Sequence, residues 1–272
     1  MQLSKKTIHS FQKTVWQFYI LNKRVFSWRK SISPYNIVVS EVMLQQTQTF
    51  RVAAKYEQFL MAFPTFKILA QATLKEVLAV WQGLGYNRRA QSLHNIAKRV
   101  VNDFDGELPS SPELLIEFPG IGVNTAGSIC AFAYNCPTVF IETNIRTVFL
   151  YTFFKNRDAV DDKEILPLVE QALDTQCPRE WYYALMDYGV MLKRCYNNPS
   201  RKSKHYSKQS PFIGSDRQVR SMIVKLLLKN EEMDFNQIAS LINRDVDRVK
   251  KIVAQLSKEE IIKKSGALYK IV

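Results

Sequence analysis

Apolar residues recur every three or four positions through most of residues 1–195, and this spacing is the feature that most limits the possible folds. One example is the stripe formed by Leu74, Val77, Leu78 and Trp81. Such spacing puts the apolar side chains on one side of a helix. Glycine and proline interrupt the pattern at short intervals, and strand-like alternation is scarce. The sequence therefore predicts many helices of roughly 8–15 residues joined by short connections.

Residues 197–211 break this pattern, because they are polar and basic and nearly free of aliphatic side chains. We interpret residues 197–214 as a linker or arm, either a flexible tether or a strap along DNA phosphates. Residues 215–272 resume the helical spacing and end in two apolar segments that flank Gly266. Three helices, the second capped by Asp234, and a two-stranded wing would form a winged helix-turn-helix-like domain.

The charge of the chain favours a polyanionic partner. The net charge is +13, with 38 Lys and Arg against 25 Asp and Glu. Residues 201–272 hold 16 Lys and Arg and 8 Asp and Glu, so much of the excess lies near the C-terminus. We therefore interpret the C-terminal domain as DNA-contacting rather than purely structural or protein-docking. No run of about 18 apolar residues is present, which argues against a membrane partner and for an intracellular protein.

The cysteines and histidines do not predict a metal site. The four cysteines are Cys130, Cys136, Cys177 and Cys195, and no two have C-x-x-C spacing. An intracellular chain would keep them reduced, so we expect small buried side chains rather than ligands. The three histidines are too scattered to suggest a metal site.

The segment LIEFPGIGVNT at 115–125 has a form that suits one DNA backbone. We expect one helix to end near Phe118 and another to start at about Val123, with Gly120 and Gly122 in the tight turn between them. Glycines let the backbone approach another chain, and free N–H groups at the new helix start suit a phosphate oxygen. Such a hairpin grips DNA without reading its sequence. The alternative is an ordinary helix–helix turn.

Two carboxylates among apolar residues could carry chemistry. Glu142, in VFIETNIRTV, could stabilise a cationic, oxocarbenium-like centre and position water. The alternative is a helix cap, formed here by Thr143 or Asn144. Glu41, in SEVMLQQTQ, is placed on a helix, where a partly buried carboxyl can act as a general acid near neutral pH. The glutamines that follow, Gln45, Gln46 and Gln48, could probe a base stack. The alternative is that Glu41 and these glutamines form an ordinary solvated helix face.

Four segments stand in order between about Phe26 and Lys193: FSWRKSISPYNIVVSEVMLQQTQ, FPTFKILAQATLKEVLAVWQGLGYNRRAQSLHNIAKRV, FPGIGVNTAGSI and IETNIRTV. Together they strongly resemble the adenine-DNA glycosylase branch of the helix-hairpin-helix glycosylases, the endonuclease III superfamily. The resemblance implies an all-α, two-lobed core over residues 1–196, with the DNA cleft between the lobes. The winged-helix-like domain that follows is predicted from the residue pattern alone. The resemblance also implies that the target base is flipped out of duplex DNA.

The motifs and the resemblance together give three groups of candidate site residues. The catalytic group consists of Glu41, Glu142 and Asn144. The DNA-binding group consists of Gln45, Gln46, Tyr86, Arg88, Gly120, Gly122, Asn124 and Thr125. The base pocket is lined by Trp28, Arg29 and Tyr183. Within these groups, Glu41 matches the acid that protonates adenine, Gln46 an amide that wedges into the DNA stack, and Tyr86 a tyrosine that inserts beside the opposing base.

Two departures from the family pattern concern the chemistry. Glu142 stands where the family normally has aspartate, so the carboxylate lies one methylene further out. Asn124 stands where bifunctional members have a Schiff-base lysine. No lysine occurs between Lys98 and Lys155, so we expect no covalent lyase step from that site.

Two further departures concern the cofactor and the substrate. Only Cys195 lies where many members have four cysteines that bind a [4Fe–4S] cluster, so we expect no cluster. The basic arm could replace the phosphate contacts of the cluster loop. Adenine-specific members often carry glutamine or glutamate where Tyr183 stands, and the C-terminal domain does not resemble their 8-oxoguanine-recognising domain.

These observations lead to one expected function and two alternatives. We expect a monomeric, monofunctional glycosylase of base excision repair that removes adenine opposite guanine or 8-oxoguanine from double-stranded DNA. The alternative substrate is thymine or uracil opposite guanine. The alternative of another class is a non-catalytic DNA-binding protein, which Glu142 in place of aspartate favours and the intact SEVMLQQTQ segment opposes.

Overall fold

The computed structural model describes residues 1–272, and most of them are helical. The α-helices are α1 (Lys5–Asn22), α2 (Ser27–Lys30), α3 (Pro34–Leu44), α4 (Thr49–Ala62), α5 (Phe66–Gln71), α6 (Leu74–Trp81), α7 (Arg88–Asp103), α8 (Pro112–Leu115), α9 (Val123–Tyr134), α10 (Thr143–Phe153), α11 (Asp162–Gln171), α12 (Pro178–Cys195), α13 (Asp216–Lys229), α14 (Phe235–Ile242) and α15 (Val246–Lys258). A turn of 3-10 helix covers Pro199–Lys202, and the strands are β1 (Glu232–Asp234), β2 (Ile262–Ser265) and β3 (Leu268–Ile271). The predicted helical fold is confirmed. None of these helices is both long enough and apolar enough to cross a lipid bilayer.

The chain forms two compact units that interleave along the sequence. The first comprises residues 1–37, 109–117 and 121–208, and the second comprises residues 38–108, 118–120 and 209–272. This division differs from a linear order of core, arm and C-terminal domain, because the C-terminal residues share a unit with α4–α7. The domain boundaries predicted after residues 196 and 214 stay a prediction.

The first unit is built around α12, which packs against α1 and α10. Trp181 of α12 lies edge-on to Phe11 of α1, with 5.9 Å between the ring centroids. Phe11 also contacts Phe149 of α10, with centroids 5.4 Å apart. All three rings are buried. Since aromatic rings bury large apolar areas, this cluster holds α10 and α12 side by side.

The second unit includes a C-terminal module, residues 209–272, with three helices and a small antiparallel sheet of strand order β1-β3-β2. The sheet has one strand more than the predicted two-stranded wing. The missed strand, β1, contains only three residues, too few for alternation to stand out. Asp234 caps α14 as predicted, because its side chain accepts a hydrogen bond from the Gln237 N–H at 2.9 Å.

The first half of the predicted arm is folded onto the first unit. Pro199 is buried in the 3-10 turn. The Val160 N–H donates to the Lys202 carbonyl, and the Lys204 N–H donates to the Val160 carbonyl, each at 2.9 Å. Because these are main-chain bonds, the polar side chains did not indicate them. This stretch is therefore a fixed part of the first unit rather than a flexible tether.

All four cysteines are free thiols. Cys130 is buried, its Sγ donates to the Ser110 carbonyl at 3.1 Å, and burial raises its pKa to about 12. Cys195 is exposed. No three His, Cys, Asp or Glu side chains come together in a way that could hold a metal ion. Cys195 alone does not fit a [4Fe–4S] cluster, and the absence of a cluster stays a prediction.

Candidate functional site

The Glu142 carboxylate is held at the start of α10. Its Oε1 accepts hydrogen bonds from the backbone N–H groups of Asn144 and Ile145, at 2.8 and 3.0 Å. Its Oε2 accepts a hydrogen bond from Asn144 Nδ2 at 3.2 Å. Glu142 is therefore itself the N-cap of α10, and the alternative that Thr143 or Asn144 forms the cap is wrong. Because three N–H donors hold it, the carboxylate has one defined position.

A glycine lets α12 reach the first turn of α10. A Cβ atom on Gly189 would lie 2.3 Å from the carbonyl oxygen of Asn144 and 2.9 Å from its Cβ. Both distances are far inside van der Waals contact, so the two helices can be this close only with glycine at 189. Lys193, one turn further along α12, lies on the same helix face and also meets Asn144.

Lys193 is a half-buried cation beside Glu142. Its Nζ donates to Asn144 Oδ1 at 2.8 Å. Burial lowers the pKa of Lys193 below its ordinary value, the charge of Glu142 raises this pKa, and the charge of Arg146 lowers it. Arg146 is itself paired with Asp162, with 2.6 Å between Nη2 and Oδ2. The Asn144 amide thus links a lysine to the Glu142 carboxylate.

Asn124 ties the first turn of α9 to the segment that leads into Glu142. Its Oδ1 accepts a hydrogen bond from the Ile141 N–H at 3.0 Å. The Asn124 amide oxygen is the acceptor of this hydrogen bond. A lysine at position 124 could not make the same contact, because an ammonium group has no acceptor. DNA contacts by Asn124 and Thr125 stay a prediction.

The predicted hairpin is present, with α9 beginning at Val123 and Gly122 as its N-cap. Gly120 has a φ of 77°, in the left-handed region, and a Cβ atom there would lie 2.8 Å from Ser92 Oγ. Both glycines are exposed. No side chain caps α9, so its first N–H groups can donate hydrogen bonds to an anion such as a phosphate oxygen.

Helix α3 ends at Leu44, so the glutamines predicted on its surface lie in the turn beyond it. Gln45 Nε2 donates to the Gly120 carbonyl at 3.1 Å, a contact within the second unit. Gln46 is exposed and has a φ of 53°. Glu41, one turn before the end of the helix, is half-buried.

Arg89 holds the end of α3 in place. Its Nη1 donates to the carbonyl oxygens of Val42, Met43 and Gln45, at 2.9, 2.8 and 2.6 Å. Carbonyls at the end of a helix lack partners within the helix, and the guanidinium supplies the missing hydrogen bonds. Burial lowers the pKa of Arg89 to about 10, which leaves it a cation at neutral pH. The helix that carries Glu41 is thus fixed at its C-terminal end.

Tyr86 lies on the wall of a cavity of about 580 Å³ in the second unit. Arg217 Nη1 donates to Tyr86 Oη at 3.0 Å, and the Gln209 side chain also donates to this oxygen. The Arg217 guanidinium lies 5.6 Å from the centroid of the Tyr86 ring. The C-terminal module therefore contacts the tyrosine assigned to the opposing base. The predicted DNA-binding residues that line the cavity are Gln45, Gln46, Tyr86 and Arg88.

The three residues predicted to line the base pocket are packed in the first unit, where Trp28 and Tyr183 are buried. The Arg29 guanidinium lies 4.4 Å from the centroid of the Tyr183 ring. Nη1 and Nη2 of Arg29 each donate to one carboxylate oxygen of Asp187 at 2.9 Å. Asp187 thereby balances the charge of Arg29. A contact of these residues with a base stays a prediction.

Within each unit, some residues that contact candidate site residues were not singled out by the sequence: Asp187 and Lys193 in the first unit, and Arg89 and Arg217 in the second. Two of them could have been noticed, since Asp187 and Lys193 are charges within the apolar and aromatic stretch WYYALMDYGVMLK. A charge in such a stretch is expected to be buried and paired. Arg89 and Arg217 have no such signal, because they lie in polar sequence.

Replacing Gly189 with alanine should destabilise the contact between α10 and α12. The added methyl group would overlap the Asn144 carbonyl, so we expect the free energy of unfolding to fall by about 1–3 kcal/mol. Urea unfolding of the full chain measures this change. Gly122→Ala is the matched control, since a Cβ atom there meets nothing within 4 Å. A Gly189→Ala protein as stable as the wild type would contradict the close packing.

Comparison with known proteins identifies the family. Residues 39–243 match the family described as HhH-GPD superfamily base excision DNA repair protein. The adenine DNA glycosylase of Buchnera aphidicola subsp. Baizongia pistaciae is 31% identical over 187 residues, which are 67% of this chain and 52% of that protein. The adenine DNA glycosylase of Mycolicibacterium smegmatis is 32% identical over 223 residues, covering 75% of this chain and 76% of that protein. Among solved structures, a thermostable thymine-DNA glycosylase has a TM-score of 0.64 at 24% identity, covering 73% of this chain and 91% of that one.

The structure is a helical protein in which a glycine hairpin is followed by a carboxylate at the N-terminus of a helix. The chain belongs to the HhH-GPD superfamily of base excision DNA repair proteins, which confirms the resemblance seen in the sequence. The chain spans about half the length of the Buchnera relative.

Proposed function

We propose that this protein is a monofunctional DNA glycosylase of base excision repair that removes adenine opposite guanine or 8-oxoguanine. The observation that carries the proposal is the Glu142 carboxylate, held by two backbone N–H groups and the Asn144 amide. A negative charge that is positioned before the reaction stabilises a cationic sugar in the transition state. The names of the relatives support adenine as the base.

Glu41 is assigned the proton transfer to the base. Adenine leaves more easily once its ring is protonated, and a positioned carboxylic acid contributes about 10²- to 10⁴-fold to such a step. The base must first leave the duplex stack, since its reacting atoms are inaccessible within it. The half-buried position of Glu41 and the anchoring of α3 by Arg89 support this role.

Glu142 is assigned to the sugar and to water. When the N-glycosidic bond breaks, its electron pair leaves with the protonated adenine, and the C1′ carbon becomes positively charged. Water adds to C1′ and gives its proton to the carboxylate, which leaves an abasic site and free adenine. No amine nucleophile takes part, and the amide of Asn124 cannot form a Schiff base.

Double-stranded DNA is the proposed substrate, and the protein acts on it as a monomer inside the cell. The exposed glycines of the hairpin and the uncapped start of α9 would hold a phosphate. Gln46 and Tyr86 would contact the bases around the extruded nucleotide. Arg217 adds a cation beside Tyr86, and the basic C-terminal module adds affinity for the phosphate backbone.

A second candidate substrate is thymine or uracil opposite guanine. Tyr183 favours it, because this ring stands where adenine-specific members often have glutamine or glutamate. The Tyr183 ring is stacked on Phe132, with 4.6 Å between centroids. A phenol offers one donor and acceptor group, whereas a carboxamide offers both a carbonyl and an NH2 to the edge of adenine.

Release of free base from defined duplexes distinguishes the candidates. We would incubate the wild-type protein with A·G, A·8-oxoguanine, G·T and G·U duplexes, and with a fully paired A·T duplex as the control. We expect free adenine from the first two and no base from the control. If thymine or uracil were the only base released, the second candidate substrate would replace adenine in the proposal. Binding to all five duplexes without release of any base would indicate a non-catalytic DNA-binding protein.

A further inference from the structure

Lys193 lies beside the candidate catalytic carboxylate, yet the proposed reaction does not use it. Its Nζ donates to Asn144 Oδ1 at 2.8 Å, and Asn144 Nδ2 donates to Glu142 Oε2 at 3.2 Å. An ammonium only donates and an ionised carboxylate only accepts, so these two neighbours determine which way the amide points. The reversed amide would place its NH2 against the ammonium and its oxygen against the carboxylate.

The packing of α12 fixes the position of the Lys193 backbone. Gly189 permits the contact with Asn144, and Lys193 follows it by four residues on the same face of α12. The same helix is anchored in the aromatic core by Trp181. The ammonium is therefore presented by a rigid element rather than by a loop, which is the arrangement that keeps a supported group in position.

We propose that Lys193 is a positioning residue, which holds Asn144, and through it Glu142, in the orientation that acts on the sugar. This role rests on the proposed glycosylase function. The two backbone N–H groups restrain only Oε1 of Glu142, whose side chain has one more rotatable bond than an aspartate. Asn144 restrains Oε2, and Lys193 restrains Asn144. Without the ammonium, the amide can turn and Oε2 loses its donor.

Substitutions at Lys193 in the full chain test this role. Lys193→Met keeps a long unbranched side chain without a donor, and Lys193→Arg restores a cation. We expect Lys193→Met to lower the single-turnover rate of adenine release from an A·8-oxoguanine duplex by about 10- to 100-fold, with the Kd for the duplex nearly unchanged. Lys193→Arg should recover most of the rate. The matched control is Arg194→Met, which removes an exposed charge one residue away and should keep the wild-type rate.

A double-mutant cycle separates positioning from a general loss of structure. In an Asn144→Ala protein, Lys193→Met should cause little further loss, because the link to Glu142 is already broken. If Lys193→Met lowered the single-turnover rate equally in the wild-type and Asn144→Ala proteins, the positioning role would be overturned. The positioning role would also be overturned if Lys193 acted as a nucleophile. In that case its amine would condense with the C1′ aldehyde of the abasic sugar, with loss of water. Borohydride would reduce that Schiff base and leave Lys193 covalently attached to DNA.

The side-chain amide protons of Asn144, followed by NMR, test the same contacts without any reaction. In the wild type we expect the bonded amide protons to be shifted and slow to exchange. In Lys193→Met they should move toward the positions of a free amide. An unchanged signal would overturn the positioning role whatever the activity. A signal that responds, in a protein that releases no base from any duplex, would overturn only the proposed function.

Discussion

Replacing Glu41 with glutamine should lower the single-turnover rate of adenine release by about 10²- to 10⁴-fold. Glutamine has nearly the same shape but no proton to give, so adenine would have to leave unprotonated. The substitution should leave the backbone in place, because Arg89 holds the end of α3 through main-chain carbonyls. The rate is measured with enzyme in excess over an A·8-oxoguanine duplex, and the Kd by titration of the same duplex.

Glu57→Gln is the matched control for this variant. Glu57 is an exposed carboxylate on α4, in the same compact unit as Glu41. We expect the control to keep the wild-type rate and both variants to bind the duplex with a Kd near that of the wild type. If Glu41→Gln is as fast as Glu57→Gln, the base leaves without a proton from this carboxyl.

Replacing Asp187 with asparagine should cause the largest loss of stability. Asp187 is 2% exposed, and its carboxylate accepts two hydrogen bonds from Arg29 at 2.9 Å and one from Arg24 Nε at 2.6 Å. Removing the negative charge leaves the buried guanidinium of Arg29 without a counter-ion. We therefore expect the free energy of unfolding at neutral pH to fall by about 3–5 kcal/mol, as measured by urea unfolding.

The contribution of Asp187 should also depend on pH. Burial alone would raise the pKa of Asp187, but the hydrogen bonds and charges of Arg29 and Arg24 hold it below the usual value for aspartate. A carboxyl whose pKa is lower in the folded state stabilises the fold above its unfolded pKa. This stabilisation is lost as the pH falls through the folded pKa. The difference in stability between wild type and Asp187→Asn should therefore shrink below about pH 4.

Asp103→Asn provides the comparison at the surface. Asp103 pairs with Arg99 at 3.4 Å, and its side chain is 56% exposed. Exposed ion pairs contribute about 0–1 kcal/mol, so this variant should unfold almost like the wild type. If Asp187→Asn is as stable as Asp103→Asn, the buried pair does not stabilise the first unit as inferred.

Local patterns were sufficient to predict much of the fold. The apolar stripe from Leu74 to Trp81 is the buried face of α6, and Asp234 caps α14, because in both cases the interacting groups lie within a few residues of one another. The three residues of β1 are too short for such a pattern. The 3-10 turn at Pro199–Lys202 was missed because main-chain bonds to Val160, far away in the sequence, hold it in place.

The candidate functional residues likewise fall into those that local motifs indicate and those that only tertiary packing brings together. The glycines of the hairpin and Glu142 lie in continuous motifs, so the sequence could indicate them. Lys193 and Asn144 are 49 residues apart, and only the packing of α12 on α10 brings them together. Arg217 and Tyr86 are 131 residues apart, and their contact depends on the C-terminal module belonging to the second unit. Such pairs are consequences of tertiary packing and leave no local signal.

Hydrolysis without an amine nucleophile is the central claim, and the products of one reaction test it most directly. The wild-type protein would be incubated with an A·8-oxoguanine duplex in the presence of borohydride, and the products analysed by mass spectrometry. We expect free adenine and an equal amount of abasic strand, whose C1′ aldehyde the borohydride reduces to an alcohol, with no protein joined to DNA. A covalent protein–DNA adduct, or a duplex that keeps its adenine, would contradict the claim.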